Sequence, residues 1–73
     1  MFYIVSEIQE ISGARNVINN AYDNQQSAEG KYYSILAAAT QSQADYIGAT
    51  LVQCGDNITL LMSKAYDNKQ KEV

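Results

Sequence analysis

Tyrosine is the residue type with the clearest capacity for chemistry in this chain. There are six tyrosines, one phenylalanine and no tryptophan among 73 residues. A tyrosine ring is a flat apolar surface for stacking, and its hydroxyl can orient a polar ligand. Amides and cations stand nearby in the sequence, and together these are the groups that a binder of nucleobase, ribose and phosphate needs. Tyrosine is also an ordinary amphipathic filler at the rim of a sheet, and this second interpretation stays open.

The candidate ligand-binding residues are aromatic, cationic or amide side chains around the middle of the chain. The predicted set is Tyr22, Tyr32, Tyr33, Arg15, Lys31 and Asn24, with Tyr46 as a further stacking candidate. A helix is expected to begin just after Asn24, and the free N–H groups and dipole of a helix start favour phosphate. We therefore expect Arg15 and Lys31 to meet phosphate there, with Tyr22 or Tyr32 as the stacking surface.

Catalysis and metal binding are not predicted. No two carboxylates have a spacing that would pair them in a cleft for acid and base work. The single cysteine, Cys54, has no histidine to activate it, because the chain contains none. A zinc site is equally unexpected without histidine or a second cysteine. The residues predict a protein that is not an enzyme and uses no cofactor.

The tetrapeptide Ala-Tyr-Asp-Asn occurs twice, at residues 21–24 and 65–68. Each copy follows a run of apolar residues, which is typical of a strand. Asp and Asn end strands by bonding nearby backbone groups. We therefore predict that the two copies end the two edge strands of a sheet.

Apolar periodicity predicts an α+β fold in the order ββαββ. Alternating patterns indicate strands at residues 2–11, 16–22, 46–54 and 58–66, and helical spacing of apolar residues indicates a helix over 25–42. Asp23, with Gln26 three residues later, resembles a capping box. A right-handed crossover gives an antiparallel sheet of order 2-1-3-4 with the helix on one face. Residues 1–68 form the single predicted domain, and 69–73 a short polar tail.

One helix can cover only one face of such a sheet. The helix side is expected to hold Phe2, Ile4, Ile8, Ile47 and Leu51, and the opposite side Tyr3, Val5, Val52 and either Leu60 or Leu61. A small domain without disulfide or metal commonly gains stability by oligomerising, so we predict a homo-oligomer formed through the open face. The alternative is that the second face is partly exposed to water and forms no interface.

Charge and hydropathy exclude several partners. The net charge is −3 and the five cations are scattered, so the sequence does not predict the basic surface that binds a nucleic acid polymer. The longest uncharged run, residues 32–44, is too short and polar to span a bilayer. The first residues lack a basic region and carry Glu7, which argues against a signal peptide. A cytoplasmic location is expected.

As a whole, the chain resembles a family of short proteins encoded by bacteriophages and prophages of Gram-positive bacteria. The similar segments are Phe-Tyr-Ile-Val-Ser-Glu-Ile-Gln at 2–9, residues 21–29 beginning with Ala-Tyr-Asp-Asn, Lys-Tyr-Tyr-Ser-Ile-Leu-Ala-Ala-Ala at 31–39 and Gly-Ala-Thr-Leu at 48–51. The chain departs from the family where Tyr33 and Tyr46 stand at histidine positions, and where residues 63–66 match only in part.

The resemblance implies a phage accessory protein acting in the cytoplasm of the infected host. Such proteins include homo-oligomeric anti-defence sponges that hold cyclic dinucleotides or cyclic ADP-ribose-type immune signals in pockets between subunits. Sequestration of such a signal is therefore one expectation. The alternative is a phage structural or host-interaction protein that works through protein contacts and takes no small ligand.

Overall fold

The computed structural model describes residues 1–68 and has the predicted α+β architecture. Its elements are β1 (Phe2–Ile11), β2 (Ala14–Tyr22), α1 (Gln25–Ala39), β3 (Tyr46–Cys54) and β4 (Ile58–Asp67). The strands form one antiparallel sheet in the order β2-β1-β3-β4, which confirms the predicted topology. The helix ends at Ala39, three residues before the predicted end at 42. The predicted tail at 69–73 lies outside the described residues.

A two-residue turn joins β1 to β2. Ser12 and Gly13 both have positive φ, 52° and 86°, as a type I′ turn requires. The register then runs without a shift from Ile11 opposite Ala14 to Tyr3 opposite Tyr22. The backbone N–H of Ser12 also donates to Asp45 Oδ2 at 3.1 Å, which ties the turn to the segment before β3.

The helix is capped by Asn24 and not by the predicted Asp23. The Asn24 side-chain oxygen accepts a hydrogen bond from the N–H of Ser27 at 2.8 Å, and Asn24 itself is extended. An amide in this position satisfies one of the open N–H groups of the first turn. At the other end, Thr40 donates its backbone N–H to Leu36 and its hydroxyl to Ala37. The next two N–H groups, of Gln41 and Ser42, donate only three residues back, and the helix ends at Ala39.

The core lies between α1 and the central strands β1 and β3. Its buried members are Val5, Leu51, Ala49, Ala28, Tyr32 and Ile35. This corrects the predicted faces of β1: Val5 and Tyr3 point to the helix, and Phe2, Ile4 and Ile8 lie on the open side. Residues 2–5 are all apolar, so alternation alone could not choose the face. The choice follows from the register, which sets Val5 opposite Leu51.

The opposite face of the sheet has no covering element among residues 1–68. Val52 and Leu60 lie there as predicted, whereas Leu61 falls at a register shift in the β3–β4 ladder and packs against the core. Phe2, Val17, Ile58 and Leu60 are 44 to 77% exposed. We call this surface the open face. Residues 1–68 include no helix with the length and apolar character needed to cross a bilayer.

Candidate functional site

The structure separates Arg15 from the rest of the predicted ligand set. Arg15 lies near the start of β2, beside Glu10, whereas Tyr22 ends the same strand beside Tyr3. Seven residues of strand place them about 23 Å apart. The helix begins next to Tyr22, so within one chain Arg15 is out of reach of the helix start. Arg15 also lies on the open face, and the helix packs on the other.

Two of the three predicted tyrosines near the helix, Tyr22 and Tyr32, contribute to the core. Tyr32 is 4% exposed, and Tyr22 is half-buried against the same cluster. The Tyr33 ring meets the Tyr32 ring edge to face at 5.3 Å, and its hydroxyl lies 3.6 Å from Met62 Sδ. Burial, together with Tyr33 and Tyr66 nearby, raises the pKa of Tyr32 above its usual value. Only Tyr33, at 56% exposure, offers a ring surface to solvent.

The helix start is a weaker anion site than the sequence predicts. Asn24 uses its side-chain oxygen to satisfy the N–H of Ser27. Gln25 donates to the Glu29 carboxylate at 2.8 Å, which places a negative charge within the first turns. Lys31 is half-buried on the same helix. A negative charge here disfavours a bound phosphate, although Lys31 opposes it.

A cleft of about 320 Å³ lies at the opposite end of the sheet, on the open face, and is lined by Ile8, Glu10, Arg15, Tyr46 and Asp67. The register explains this grouping, because Glu10 is paired with both Arg15 and Tyr46, and Tyr46 with Asp67. Directly opposed residues of an antiparallel sheet share a face. Four adjacent strands thus bring one cation, two carboxylates and one ring together.

Small residues extend this cleft toward the middle of the sheet. A second hollow of about 170 Å³ continues past Ile8 and Tyr46 over Gly48 and Ala65. A Cβ on Gly48 would come within 3.2 Å of the Ala65 Cβ and 3.4 Å of the Tyr46 ring. The Tyr46 ring therefore leans over Gly48. The lack of a side chain at Gly48 leaves room for the Tyr46 ring, which lies beside the cleft.

A short ion pair in the cleft joins Arg15 to Glu10. Arg15 Nε lies 2.6 Å from Glu10 Oε2, and the Glu10 side chain is 8% exposed against 79% for Arg15. Guanidinium carries five N–H donors, and this contact uses the one on Nε. The terminal nitrogens of Arg15 thus point toward solvent with donors to offer. Among residues 1–68, the lining includes the carboxylates of Glu10 and Asp67 and the guanidinium of Arg15.

The second Ala-Tyr-Asp-Asn segment supports this end of the sheet. Asp67 lines the cleft, and Asn68 donates its side-chain N–H to Ala44 O at 2.7 Å and its backbone N–H to Asp45 O at 2.8 Å. The first segment ends β2 at the opposite end of the sheet. The prediction that both copies end edge strands is therefore confirmed, and within one chain the copies do not meet.

Sequence reasoning found Arg15 and Tyr46 as candidates but missed Glu10, Asp67 and Ile8. A signal for Glu10 was present, because a two-residue turn at Ser12 and Gly13 places Glu10 opposite Arg15. For Asp67 the sequence indicates only the end of a strand. In residues 1–68, no three Asp, Glu or Cys side chains lie close enough to hold a metal ion.

Comparison with known proteins gives no relative. No family model matches the chain, and no curated protein or solved structure is significantly similar to it. What the cleft can bind is therefore argued from its residues and their geometry.

Proposed function

We propose that this chain is a non-enzymatic, homo-oligomeric binding protein that holds a small nucleotide-derived ligand in the open-face cleft. The observation that carries the proposal is the convergence of Arg15, Tyr46, Glu10 and Asp67 around a hollow of about 320 Å³. Pockets for small molecules start at about 300 Å³ and combine an apolar surface with a few fixed polar groups. This cleft has both.

Each lining group has a role suited to a nucleoside with a phosphate. The Tyr46 ring supplies a stacking surface, worth about 1 to 3 kcal/mol per base. The carboxylates of Glu10 and Asp67 are acceptors for ribose hydroxyls or a base amino group. The terminal nitrogens of Arg15 are donors for a phosphate oxygen. Because Glu10 already pairs with the Nε of Arg15, a ligand with few phosphates fits better than a polyphosphate.

Oligomerisation through the open face would convert this half-open cleft into a pocket between subunits. Strands spaced by about 4.8 Å and rising about 3.3 Å per residue outline a face of roughly 19 by 30 Å, on the order of 570 Å². Two such faces would bury on the order of 1,100 Å², slightly above the roughly 1,000 Å² needed for a specific interface. The exposed apolar side chains on this face fit a second copy of the same surface.

The biological setting that we propose follows from the resemblance of the sequence. A phage accessory protein in the host cytoplasm would use such a pocket to sequester an immune signal of the cyclic dinucleotide or cyclic ADP-ribose type. The alternative function is a phage structural or host-interaction protein. The exposed Phe2, Ile58 and Leu60 favour it, since the same apolar face could contact another protein.

A thermal-shift screen of cyclic dinucleotides and cyclic ADP-ribose isomers tests the proposal. A ligand at 100 times its dissociation constant adds about 2.7 kcal/mol, which should raise the melting temperature by roughly 10 to 20 °C for a domain of this size. Tyr46→Ala and Arg15→Gln should each weaken binding at least tenfold. Tyr33→Ala is the matched control, because this exposed tyrosine lies on the helix.

The outcomes separate the candidate sites and functions. Loss of binding with Tyr33→Ala but not with Tyr46→Ala would mean that the ligand binds at the helix, where the sequence predicts the site. No shift with any nucleotide would refute the ligand proposal and leave the protein-contact function. Recovery of the chain within purified phage particles would support that alternative directly.

A further inference from the structure

Among residues 1–68, no element covers the β2 edge of the sheet. All nine residues of Ala14–Tyr22 are exposed or half-buried. Within residues 1–68, β2 pairs only with β1, and no further backbone hydrogen bond involves it. Alternate residues of an edge strand direct their N–H and C=O groups outward. Within residues 1–68, every second residue of this edge therefore presents a backbone N–H and C=O to which no other strand pairs.

Natural proteins usually protect such an edge with charge, proline or a bulge. β2 has none of these over residues 16–22, which carry no charge, and its register with β1 is regular. Its one charged residue, Arg15, is held by Glu10 of the neighbouring strand. The other edge strand, β4, differs in each respect, because it carries Lys64 and Asp67 and takes part in a register shift.

We infer that β2 is a self-association edge, which pairs antiparallel with β2 of a second copy across a two-fold axis. This contact goes beyond the proposed function and is separate from the open-face contact, since it uses backbone groups at a different surface. The result is an eight-stranded sheet with both helices on the same side. The two open faces then form one continuous surface with a cleft near each end.

The strand sequence selects the register of this pairing. With Ile18 on the axis, all nine residues of β2 find a partner, whereas a shift of two residues would leave two unpaired at each end. This register sets Ile18 opposite its counterpart, and Asn16 opposite Asn20. Like side chains then meet: Ile18 is 51% exposed and would be covered, and the two amides can hydrogen-bond to each other. Val17, on the other side of the sheet, would face Asn19.

The choice of a second copy as the occupant follows from this symmetry. A two-fold contact requires one surface to be complementary to itself. The uncharged stretch Asn16–Tyr22 satisfies this condition, because it brings no like charges together in a chain of net charge −3. A strand with charges of one sign would repel its own copy and would need a partner of opposite charge.

Light scattering over a dilution series tests the inference through the residue on the axis. Ile18→Lys places two ammonium groups opposite each other and should weaken self-association at least tenfold. Ile18→Glu should do the same. An equimolar mixture of the two variants should restore the oligomer mass of the unaltered protein, because lysine then faces glutamate across the axis. Thr59→Lys, an exposed position on β4, is the matched control and should leave the mass unchanged.

Hydrogen exchange on the unaltered protein gives a second test that needs no variant. In the paired state, consecutive amides across Asn16–Asn20 should exchange slowly at high concentration. On dilution, every second amide should become fast. The inference would be overturned if the outward-facing amides of β2 exchanged rapidly at every concentration. An unchanged oligomer mass for Ile18→Lys would also overturn it. Dissociation caused by open-face variants but not by Ile18→Lys would overturn it while leaving the proposed function intact.

Discussion

Leu60→Ala should weaken homo-oligomerisation without weakening the fold of the single chain. Leu60 lies on the open face and is 58% exposed. Full burial of a leucine side chain is worth about 1.5 to 3 kcal/mol, so covering the exposed part gains about 0.9 to 1.7 kcal/mol per copy. Alanine keeps about a quarter of this. A dimer with two such residues should lose about 1.3 to 2.6 kcal/mol, or roughly 10- to 70-fold in affinity.

Leu51 and Tyr33 provide the controls for this prediction. Leu51 is fully buried under the helix, so Leu51→Ala should cost about 2 to 5 kcal/mol of folding free energy. That is a large share of the roughly 4 to 11 kcal/mol typical of a chain of this length. Tyr33 is 56% exposed on the helix, and Tyr33→Ala should leave the association constant unchanged.

Sedimentation equilibrium measures the association constant, and urea unfolding at high dilution measures the fold. Equal association of Leu60→Ala and the unaltered protein would refute the open-face contact, and so would an unaltered protein that remains an 8.1 kDa monomer at micromolar concentration. Val5→Lys is unsuitable for this purpose. Val5 is fully buried in the core, so this change would report on folding and not on assembly.

Three further outcomes follow from local structure. Gly30→Ala should raise stability by up to about 1 kcal/mol in chemical unfolding, because an added Cβ meets nothing within 4 Å. Ser12→Asn should raise the melting temperature slightly, since Asn-Gly is the preferred type I′ pair at this positive-φ position. The raised pKa of Tyr32 means that the folded state holds its proton more tightly than the unfolded chain. The stability that this shift gives the folded state is fully present below about pH 10 and is lost as pH rises further. Tyr32→Phe should therefore reduce the fall of the urea unfolding midpoint at alkaline pH.

The topology was predictable because each element had its own local signal. Strand patterns, the Ser12-Gly13 turn and a helical stripe of apolar residues each defined one element, and connection rules set the order β2-β1-β3-β4. The faces of β1 were not predictable in this way. Phe2, Tyr3, Ile4 and Val5 are all apolar, and a shift of one residue exchanges the two sides.

The site was harder to predict because its residues are distant in sequence. Glu10, Tyr46 and Asp67 come from three strands and meet only through the sheet register. The prediction instead grouped residues that are near one another along the chain, at the helix start. Proximity in sequence gave Tyr22, Asn24 and Tyr32, and in the structure these residues serve the cap and the core.

The ion pair between Arg15 and Glu10 limits what the cleft can bind. Without a carboxylate beside it, the guanidinium of Arg15 would favour a phosphate. Beside a carboxylate 2.6 Å away, its charge is largely balanced, and Asp67 adds a second carboxylate to the same lining. A ligand must therefore offer hydrogen-bond donors to the carboxylates as well as acceptors to Arg15. A ribose hydroxyl or a base amino group beside a phosphate meets both demands.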